Sequence, residues 1–175
     1  MNSKTKRITT CAIFSAIICV VTTFVAVPAP AIGNINLGDL FILCSAWLLG
    51  PYGAIASGVG ACLADLLSGY AIYAPATFFI KLLMALCCHY IFTLLSKIVK
   101  HRFVPHLVSA LLAECVMVVG YFLYECIIYG FLPAVASVPF NLIQGSICMV
   151  TGTFVISLLC KSSAIEGFRK SFANK

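Results

Sequence analysis

Long apolar runs, separated by short polar or proline-containing segments, make up most of the chain. A helix that crosses the hydrocarbon core of a bilayer needs about 20 mostly apolar residues, and most of these runs are close to that length. We therefore predict an all-α membrane protein with six transmembrane helices. The predicted spans are residues 8–27, 36–49, 51–68, 75–97, 105–128 and 139–160.

Proline residues lie at the edges of these runs. Because proline lacks a backbone N–H, the first turn of a helix tolerates it best. Pro28 and Pro30 follow the first run, and Pro133 lies in a predicted loop. The other prolines, at positions 51, 75, 105 and 139, lie at or near the starts of later runs. This pattern predicts that no proline lies in the middle of a helix.

The basic residues predict the orientation of the chain. If 36–68 were one broken span, the count would be five, and the last two basic clusters would lie outside, against the positive-inside rule. With six spans and a cytoplasmic N-terminus, every lysine and arginine except Lys81 is cytoplasmic. We therefore predict six spans with both termini in the cytoplasm. The clusters are Lys4, Lys6 and Arg7; Lys97, Lys100 and Arg102; and Lys161, Arg169, Lys170 and Lys175.

The composition agrees with a lipid environment. Hydrophobic residues account for 62% of the chain and charged residues for 9%, whereas soluble domains carry about a quarter charged residues. We predict that residues 1–175 form a single transmembrane domain. The net charge of +6 lies in clusters beside apolar runs and without interleaved aromatic residues, so we predict the lipid bilayer, and not a nucleic acid, as the partner of these clusters.

The motifs of common catalytic sites are absent from the sequence. It contains no G-x-x-x-x-G-K-[ST] loop for ATP, no H-E-x-x-H metal motif and no G-x-S-x-G nucleophile elbow. The ten cysteines fall mostly inside apolar runs and form no C-x-x-C pair. We therefore predict no catalytic residue, no metal site and no cofactor, and a protein that is not an enzyme.

Small residues recur at intervals of four in the third predicted span. One such row contains Gly53, Ser57, Ala61 and Asp65. Small residues at this spacing let helix backbones approach closely in a membrane. We expect this span to make close contacts within the bundle.

Several ionisable residues lie inside the predicted spans. Such groups are costly in a membrane and usually face a cavity or one another. In the six-span topology Asp39, Asp65, Lys81 and Glu125 fall in the outer halves of the helices, together with Tyr121, Tyr124, Asn141 and Gln144. This placement predicts a pocket that opens to the outside.

Alternative interpretations exist for the charged residues of this group. Asn36 with Asp39 three residues later resembles a helix-capping arrangement. Asp65 is also compatible with a hydrogen bond inside the bundle. Lys81 is compatible with a permanent pair with Asp39, Asp65 or Glu125, with an outward-reaching side chain, or with a contact to an anionic or polar group of a ligand.

Residues 35–86 carry strings that resemble a known family. They are NLGD, LLGP-x-x-G, ADLLSGY and YAPATFFIK, and the first span adds AIFSA, in which Ala12 and Ala16 form an A-x-x-x-A motif. The chain resembles the substrate-binding (S) components of energy-coupling factor (ECF) transporters, the bacterial vitamin importers, and is most similar to their riboflavin-type branch.

This resemblance implies a multi-pass protein of the bacterial cytoplasmic membrane that captures a vitamin or vitamin precursor at the outer face. The S component then docks on a transmembrane coupling protein with two cytoplasmic ATPase subunits and topples in the membrane to deliver the ligand. We assign partner docking to Ala12 and Ala16. The predicted substrate-binding residues are Asn34, Asn36, Asp39, Tyr73, Lys81, Tyr121, Glu125, Asn141 and Gln144.

Two other function classes are compatible with parts of the sequence. The first is a self-sufficient secondary carrier for a small polar metabolite, which would couple its substrate to an ion at Asp65 or Glu114. The second is a membrane-integral enzyme, for which the sequence contains no motif. Uptake without any coupling-factor gene would indicate the carrier, and turnover of a bound molecule would indicate the enzyme.

Overall fold

The computed structural model describes residues 3–29, 34–99, 101 and 103–173. These residues form seven helices and two short strands. Lys100, Arg102 and Lys175, predicted to be cytoplasmic, and Pro30 lie outside the described residues. The elements are α1 (Ser3–Phe24), β1 (Ala26–Pro28), β2 (Asn34–Asn36), α2 (Gly38–Leu49), α3 (Pro51–Leu67), α4 (Ala74–Ile98), α5 (Phe103–Ile128), α6 (Phe131–Leu159) and α7 (Ser163–Ala173).

A short antiparallel ribbon follows α1, where the sequence predicted that the first span would continue to residue 27. In this ribbon Ala26 pairs with Asn36, and Pro28 pairs with Asn34. Pro28 cannot donate a helical hydrogen bond, and strand pairing gives the neighbouring backbone groups partners that a helix end would leave open.

The start of α6 differs most from the prediction. The helix begins at Phe131 and not near residue 139, so Pro133 lies in its first turn and Pro139 lies inside it. The prediction that no proline lies within a helix is therefore wrong for Pro139. Gly130, with φ of 88°, ends the preceding connection. Neighbouring helices and local adjustments can satisfy the backbone groups that a proline frees inside a membrane bundle.

Helix α2 lies at the centre of the bundle. Helices α1, α3, α4, α5 and α6 contact one another in this order, and α2 contacts α1, α3, α4, α6 and also α7. Its buried residues therefore lie on all sides of the helix and include Ile42, Leu43 and Trp47. A helix that is apolar all round is typical of such a fully surrounded position.

The close contacts expected for α3 are confirmed. A Cβ atom at Gly53 would lie 2.3 Å from the carbonyl oxygen of Ser45 in α2, and one at Gly60 would lie 2.5 Å from that of Ser15 in α1. Both distances are shorter than the contacts that real Cβ atoms make. The backbones of α2 and α1 can therefore approach α3 this closely only because Gly53 and Gly60 have no side chain.

Helix lengths divide the bundle into two groups. Within the described residues α1, α4, α5 and α6 are long and apolar enough to cross a membrane. By contrast, α2 has 12 residues and α3 has 17, which corresponds to about 18 Å and about 26 Å at 1.5 Å per residue. Each is shorter than the hydrocarbon core of about 30 Å. The count of six spans therefore stays a prediction.

A seventh, amphipathic helix was not predicted. It packs at the end of the bundle opposite the ribbon, where the guanidinium group of Arg7 donates hydrogen bonds to the hydroxyl oxygen of Tyr52 at 2.9 Å and to the carbonyl oxygen of Phe172 at 3.5 Å. The guanidinium group of Arg169 lies 5.5 Å from the ring centre of Trp47. We call this end the α7 end, and the opposite one the ribbon end.

Candidate functional site

A cavity of about 80 Å³ opens at the ribbon end of the bundle. Its walls come from α1, β2, α3, the α3–α4 connection, α4, α5 and α6. The lining residues are Thr22, Asn34, Asn36, Ala61, Asp65, Ser68, Tyr70, Tyr73, Thr77, Lys81, Tyr121, Glu125, Asn141 and Gln144.

Helical periodicity explains why the last three helices each contribute a pair of residues. Side chains three or four positions apart lie on the same face of a helix. The pairs are Thr77 and Lys81 in α4, Tyr121 and Glu125 in α5, and Asn141 and Gln144 in α6. The polar face of each helix thus points to the cavity, while exposed apolar residues cover its outer side.

A buried ion pair lies at the base of the cavity. The ammonium nitrogen of Lys81 is 2.5 Å from one carboxylate oxygen of Asp39, and both side chains are almost fully buried. The side-chain amide of Gln144 donates a hydrogen bond of 2.6 Å to the other oxygen of Asp39 and accepts one of 2.9 Å from the backbone N–H of Asn36. This network joins α2, α4, α6 and β2.

The network decides among the interpretations of the polar residues near α2. Lys81 pairs with Asp39, one of the alternatives that the sequence left open. Asn36 accepts a hydrogen bond from the N–H of Gly38 at 2.9 Å, at the start of α2, while the side chain of Asp39 binds Lys81 and Gln144 instead of the helix start. Asp39 lies behind Lys81 and Gln144 and not on the cavity wall. A direct ligand contact by Asp39 or Lys81 stays a prediction.

Tyrosines form the wall near the cavity mouth. The ring of Tyr73 is the centre of this group, with its centroid 6.3 Å from that of Tyr121 and 5.6 Å from that of Tyr124. Its hydroxyl group donates to one oxygen of Glu125 at 3.3 Å, and the hydroxyl group of Ser137 donates to the other. Both oxygens of Glu125 therefore have protein partners.

The ribbon is tied to the same wall. The hydroxyl group of Tyr70 donates to the side-chain oxygen of Asn34 at 3.4 Å. This contact joins the strand after α1 to the connection between α3 and α4, and places both at the cavity mouth.

Two buried polar atoms of lining residues have no hydrogen-bond partner within the described part of the chain. One is a carboxylate oxygen of Asp65, and the other is the side-chain amide nitrogen of Asn141. Asp65 was not among the predicted substrate-binding residues, although its charge inside a predicted span was a signal for it. Small and hydroxyl-bearing lining residues carry no such signal. These are Thr22, Ala61, Ser68, Tyr70 and Thr77.

The structure brings together all but one of the predicted substrate-binding residues around a single cavity. Asn34, Asn36, Tyr73, Lys81, Tyr121, Glu125, Asn141 and Gln144 line the cavity, and Asp39 lies behind it. Glu114, which the carrier alternative named as an ion-coupling residue, does not line this cavity. It is buried and lines an apolar pocket between α5 and α6, next to Gly145.

The two residues predicted for partner docking lie elsewhere. Ala12 and Ala16 are exposed on the outer face of α1, one helical turn apart. The inner face of the same turn packs on α3, where the hydroxyl group of Ser15 donates to the carbonyl oxygen of Ala56 at 2.9 Å. The A-x-x-x-A motif is therefore accessible and is not used for packing inside this chain.

Comparisons with known proteins agree with this architecture. Residues 2–161 match the family described as the S component of the ECF-type riboflavin transporter. The chain is 29% identical to HmpT, a thiamine precursor transporter of Lactococcus lactis, over 97% of both proteins. It is also 34% identical over 137 residues to an uncharacterised protein of Pyrococcus woesei, covering 77% of this chain and 88% of that protein.

A solved structure shows the same fold. It is described as the S component of a bacterial ECF transporter and superimposes with a TM-score of 0.67, covering 90% of this chain and 97% of that one. Its sequence identity is 21%, so the likeness concerns the fold.

Proposed function

The chain belongs to the family of ECF-type riboflavin transporter S components, and on this premise we propose that it captures a vitamin or vitamin precursor as the substrate-binding subunit of an importer. The cavity at the ribbon end carries the proposal. It places polar side chains of three helices around one space inside an otherwise apolar bundle, and polar groups in such a position are typical of a substrate pathway or binding site.

The proposed ligand contacts are the lining residues predicted from the sequence, with Asp65 added. Asp39 has a supporting role in this proposal, because both of its oxygens bind protein groups. Two ligand classes stand first, riboflavin from the description of the family and a thiamine precursor from the name of the Lactococcus relative.

Mass spectrometry of small molecules that co-purify with the detergent-extracted protein tests this function. We expect one vitamin-like compound at close to one molecule per protein. Asn141→Leu keeps the approximate volume and removes a polar lining group that has no partner in the protein. This variant should fold normally. The amount of the compound that co-purifies with it should be at least about tenfold lower than with the wild type. A fully folded wild-type protein that neither carries nor binds any vitamin would contradict the proposal.

The proposed topology has six membrane crossings, with the ribbon end outside and the α7 end in the cytoplasm. In this arrangement α2 and α3, each too short to cross alone at right angles, occupy one membrane passage each within a locally adapted bundle. The basic clusters support this orientation, because Lys6, Arg7 and Arg169 lie at the α7 end, where the positive-inside rule requires them.

Reporter fusions provide a direct check of the topology. Fusions after Lys97 and at the C-terminus should report the cytoplasm, and fusions after Tyr73 and Gly130 should report the outside. Counting 36–68 as a single span would reverse all four results. A C-terminus that reports the outside would therefore contradict the six-span arrangement.

The energy for transport is proposed to come from partner subunits. The sequence has no nucleotide-binding loop, so this chain requires an ATPase from elsewhere if uptake is driven by ATP. We propose a transmembrane coupling protein with two cytoplasmic ATPase subunits as the partner, with Ala12 and Ala16 as the docking face. Small exposed residues one turn apart on a membrane helix provide the close backbone approach that such docking needs.

A further inference from the structure

A second and larger cavity lies at the α7 end of the bundle. It encloses about 560 Å³ between the end of α2, the start of α3, the second half of α4, and α7. Small-molecule sites have volumes of about 300–1,000 Å³, so this space is large enough for a ligand. We call it the α7-end cavity, and its lining residues include Trp47, Tyr52, Phe92, Ser96 and Arg169.

The α7-end cavity exists because α2 and α3 stop short of the end of α4. The turn between α2 and α3 lies beside His89 of α4, since a Cβ atom at Gly50 would be 3.1 Å from the His89 ring. Helix α4 continues to Ile98, which at 1.5 Å per residue is about 13 Å farther along its axis. The overhang of α4 leaves a notch below the α2–α3 turn, and residues of α7 line this notch as well.

The notch lies at a bilayer surface. The four described helices that are long enough to cross a membrane, α1, α4, α5 and α6, all begin or end at the α7 end. Helix α7 is amphipathic, with Phe172 buried and Lys170 exposed, a pattern typical of helices in the interfacial layer of a membrane. The α7-end cavity is therefore at the depth of lipid headgroups and the first carbons of their acyl chains.

The charge at the α7 end favours an anionic partner. Glu166 is the one acidic residue at this end among the residues that the structure describes, and none lines the α7-end cavity. Basic pockets between helices at a membrane surface are typical of sites for anionic lipid headgroups. The described basic residues at this end are Lys4, Lys6, Arg7, Lys97, Lys161, Arg169 and Lys170.

Arg169 presents hydrogen-bond donors to the cavity. Its guanidinium group lies 5.5 Å from the ring centre of Trp47 and 5.9 Å from that of Phe92, and its side chain is 27% exposed. It donates to the carboxylate of Glu166 through Nε and Nη2 at 3.2 Å and 3.1 Å. Arginine has five N–H donors, so three of them have no acceptor within the described chain. A planar fork of such donors matches a phosphate group.

We propose that the α7-end cavity binds an anionic phospholipid. Its phosphate group accepts hydrogen bonds from Arg169, and the start of an acyl chain lies against the rings of Trp47 and Phe92. A zwitterionic lipid adds a cationic group, which the surrounding basic side chains repel. This site is separate from the proposed vitamin site and does not depend on it, because no residue lines both cavities.

Trp47 makes occupancy of the cavity measurable. It is the only tryptophan of the chain and lines the α7-end cavity, and brominated acyl chains quench tryptophan fluorescence at short range. The probes are phosphatidylglycerol and phosphatidylcholine with the same brominated chains, added to the purified full-length protein in detergent. We expect phosphatidylglycerol to quench Trp47 at a concentration at least about tenfold lower than phosphatidylcholine does.

Four variants locate the lipid. Arg169→Gln removes phosphate donors, and Ser96→Phe fills the cavity without changing a charge. Each should weaken the affinity for phosphatidylglycerol at least about tenfold. Glu166→Gln removes the acceptor that competes for the guanidinium group and should tighten it about threefold. Lys161→Gln, which removes a charge at the same end but outside the cavity, should change it by less than about twofold.

Several results would overturn the proposal. Equal quenching by the two lipids would indicate ordinary contact with the bilayer, and unchanged affinity in folded Ser96→Phe and Arg169→Gln variants would place the lipid elsewhere. Displacement of phosphatidylglycerol by glycerol 3-phosphate at equal phosphate concentration would show that the cavity takes a free phosphate group. If neither lipid quenches Trp47, the proposal fails, and a fluorescence change on addition of the coupling protein would then assign the cavity to a protein segment.

Discussion

Lys81→Met is expected to lower the free energy of unfolding by about 3–5 kcal/mol, because it leaves a buried carboxylate without its counter-ion. Asp39 and Lys81 are almost fully buried and 2.5 Å apart. Asp39 also holds Gln144, which in turn binds the backbone of Asn36. Loss of the ammonium group therefore disturbs the contacts of four elements around the cavity. Reversible unfolding in detergent, followed by circular dichroism, measures the effect.

Two control variants show whether the loss is due to the buried charge. Lys81→Met combined with Asp39→Asn removes both charges and should recover much of the stability, since a neutral pair of similar shape costs little. Glu166→Gln breaks an ion pair whose side chains are about one-quarter exposed and should cost less than about 1 kcal/mol. Unchanged stability of the single Lys81 variant would show that the pair does not hold the bundle together.

Ligand affinity measured on the same variants separates two roles of Lys81. If the double variant binds ligand almost as tightly as the wild type, Lys81 acts by positioning Asp39 and Gln144. If stability returns and affinity stays at least about fivefold lower, Lys81 contacts the ligand itself, because a lost contact of this kind costs about 1–3 kcal/mol.

Replacing Ala12 or Ala16 with tryptophan should abolish coupled uptake while the isolated protein still binds its ligand. Both alanines are exposed on the outer face of α1 and are not among the residues that line the cavity. A large side chain at either position would keep a partner helix from approaching the backbone closely. Uptake of labelled ligand into cells that contain the coupling module, and calorimetry of the purified variant, measure the two properties separately.

Ala136→Trp provides a matched control for this experiment. Ala136 is also exposed, but it lies on α6 at the ribbon end, away from the proposed docking face. It should retain uptake within about twofold, because a large apolar residue facing lipid creates no clash. Equal loss of ligand binding in the Ala12 or Ala16 variants would indicate that this face supports the fold. Normal uptake in both would exclude it as the docking face.

The membrane character and most helices followed from local sequence pattern. Apolar runs and polar breaks predicted α2, α3, α4 and α5 to within a few residues, because spanning a lipid layer requires a minimum length of apolar chain and proline starts helices more readily than it continues them. The same reasoning failed at Pro139, which lies inside α6. Whether a membrane helix tolerates a proline depends on the helices that pack against it. The sequence next to the proline does not show which helices these are.

Most of the residues that line the cavity could be predicted from the sequence, for a similar reason. Polar residues in an apolar helix avoid lipid, so residues at matching depth in different helices had to face a shared interior. This placed Tyr121, Asn141 and Gln144 on one wall. It could not separate Asp39 from Asp65, since both are single carboxylates in the outer part of short helices.

Only the tertiary structure decided which carboxylate pairs with Lys81 and which one lies among the residues that line the cavity. Lys81 and Asp39 are 42 positions apart, and their contact depends on the rotation and central position of α2. The ribbon after α1 and the docking of α7 are likewise set by contacts with distant segments. The pattern of apolar residues is local and therefore determined the helices of this protein. The pairing of its buried charges depends instead on the rotation and packing of those helices relative to one another.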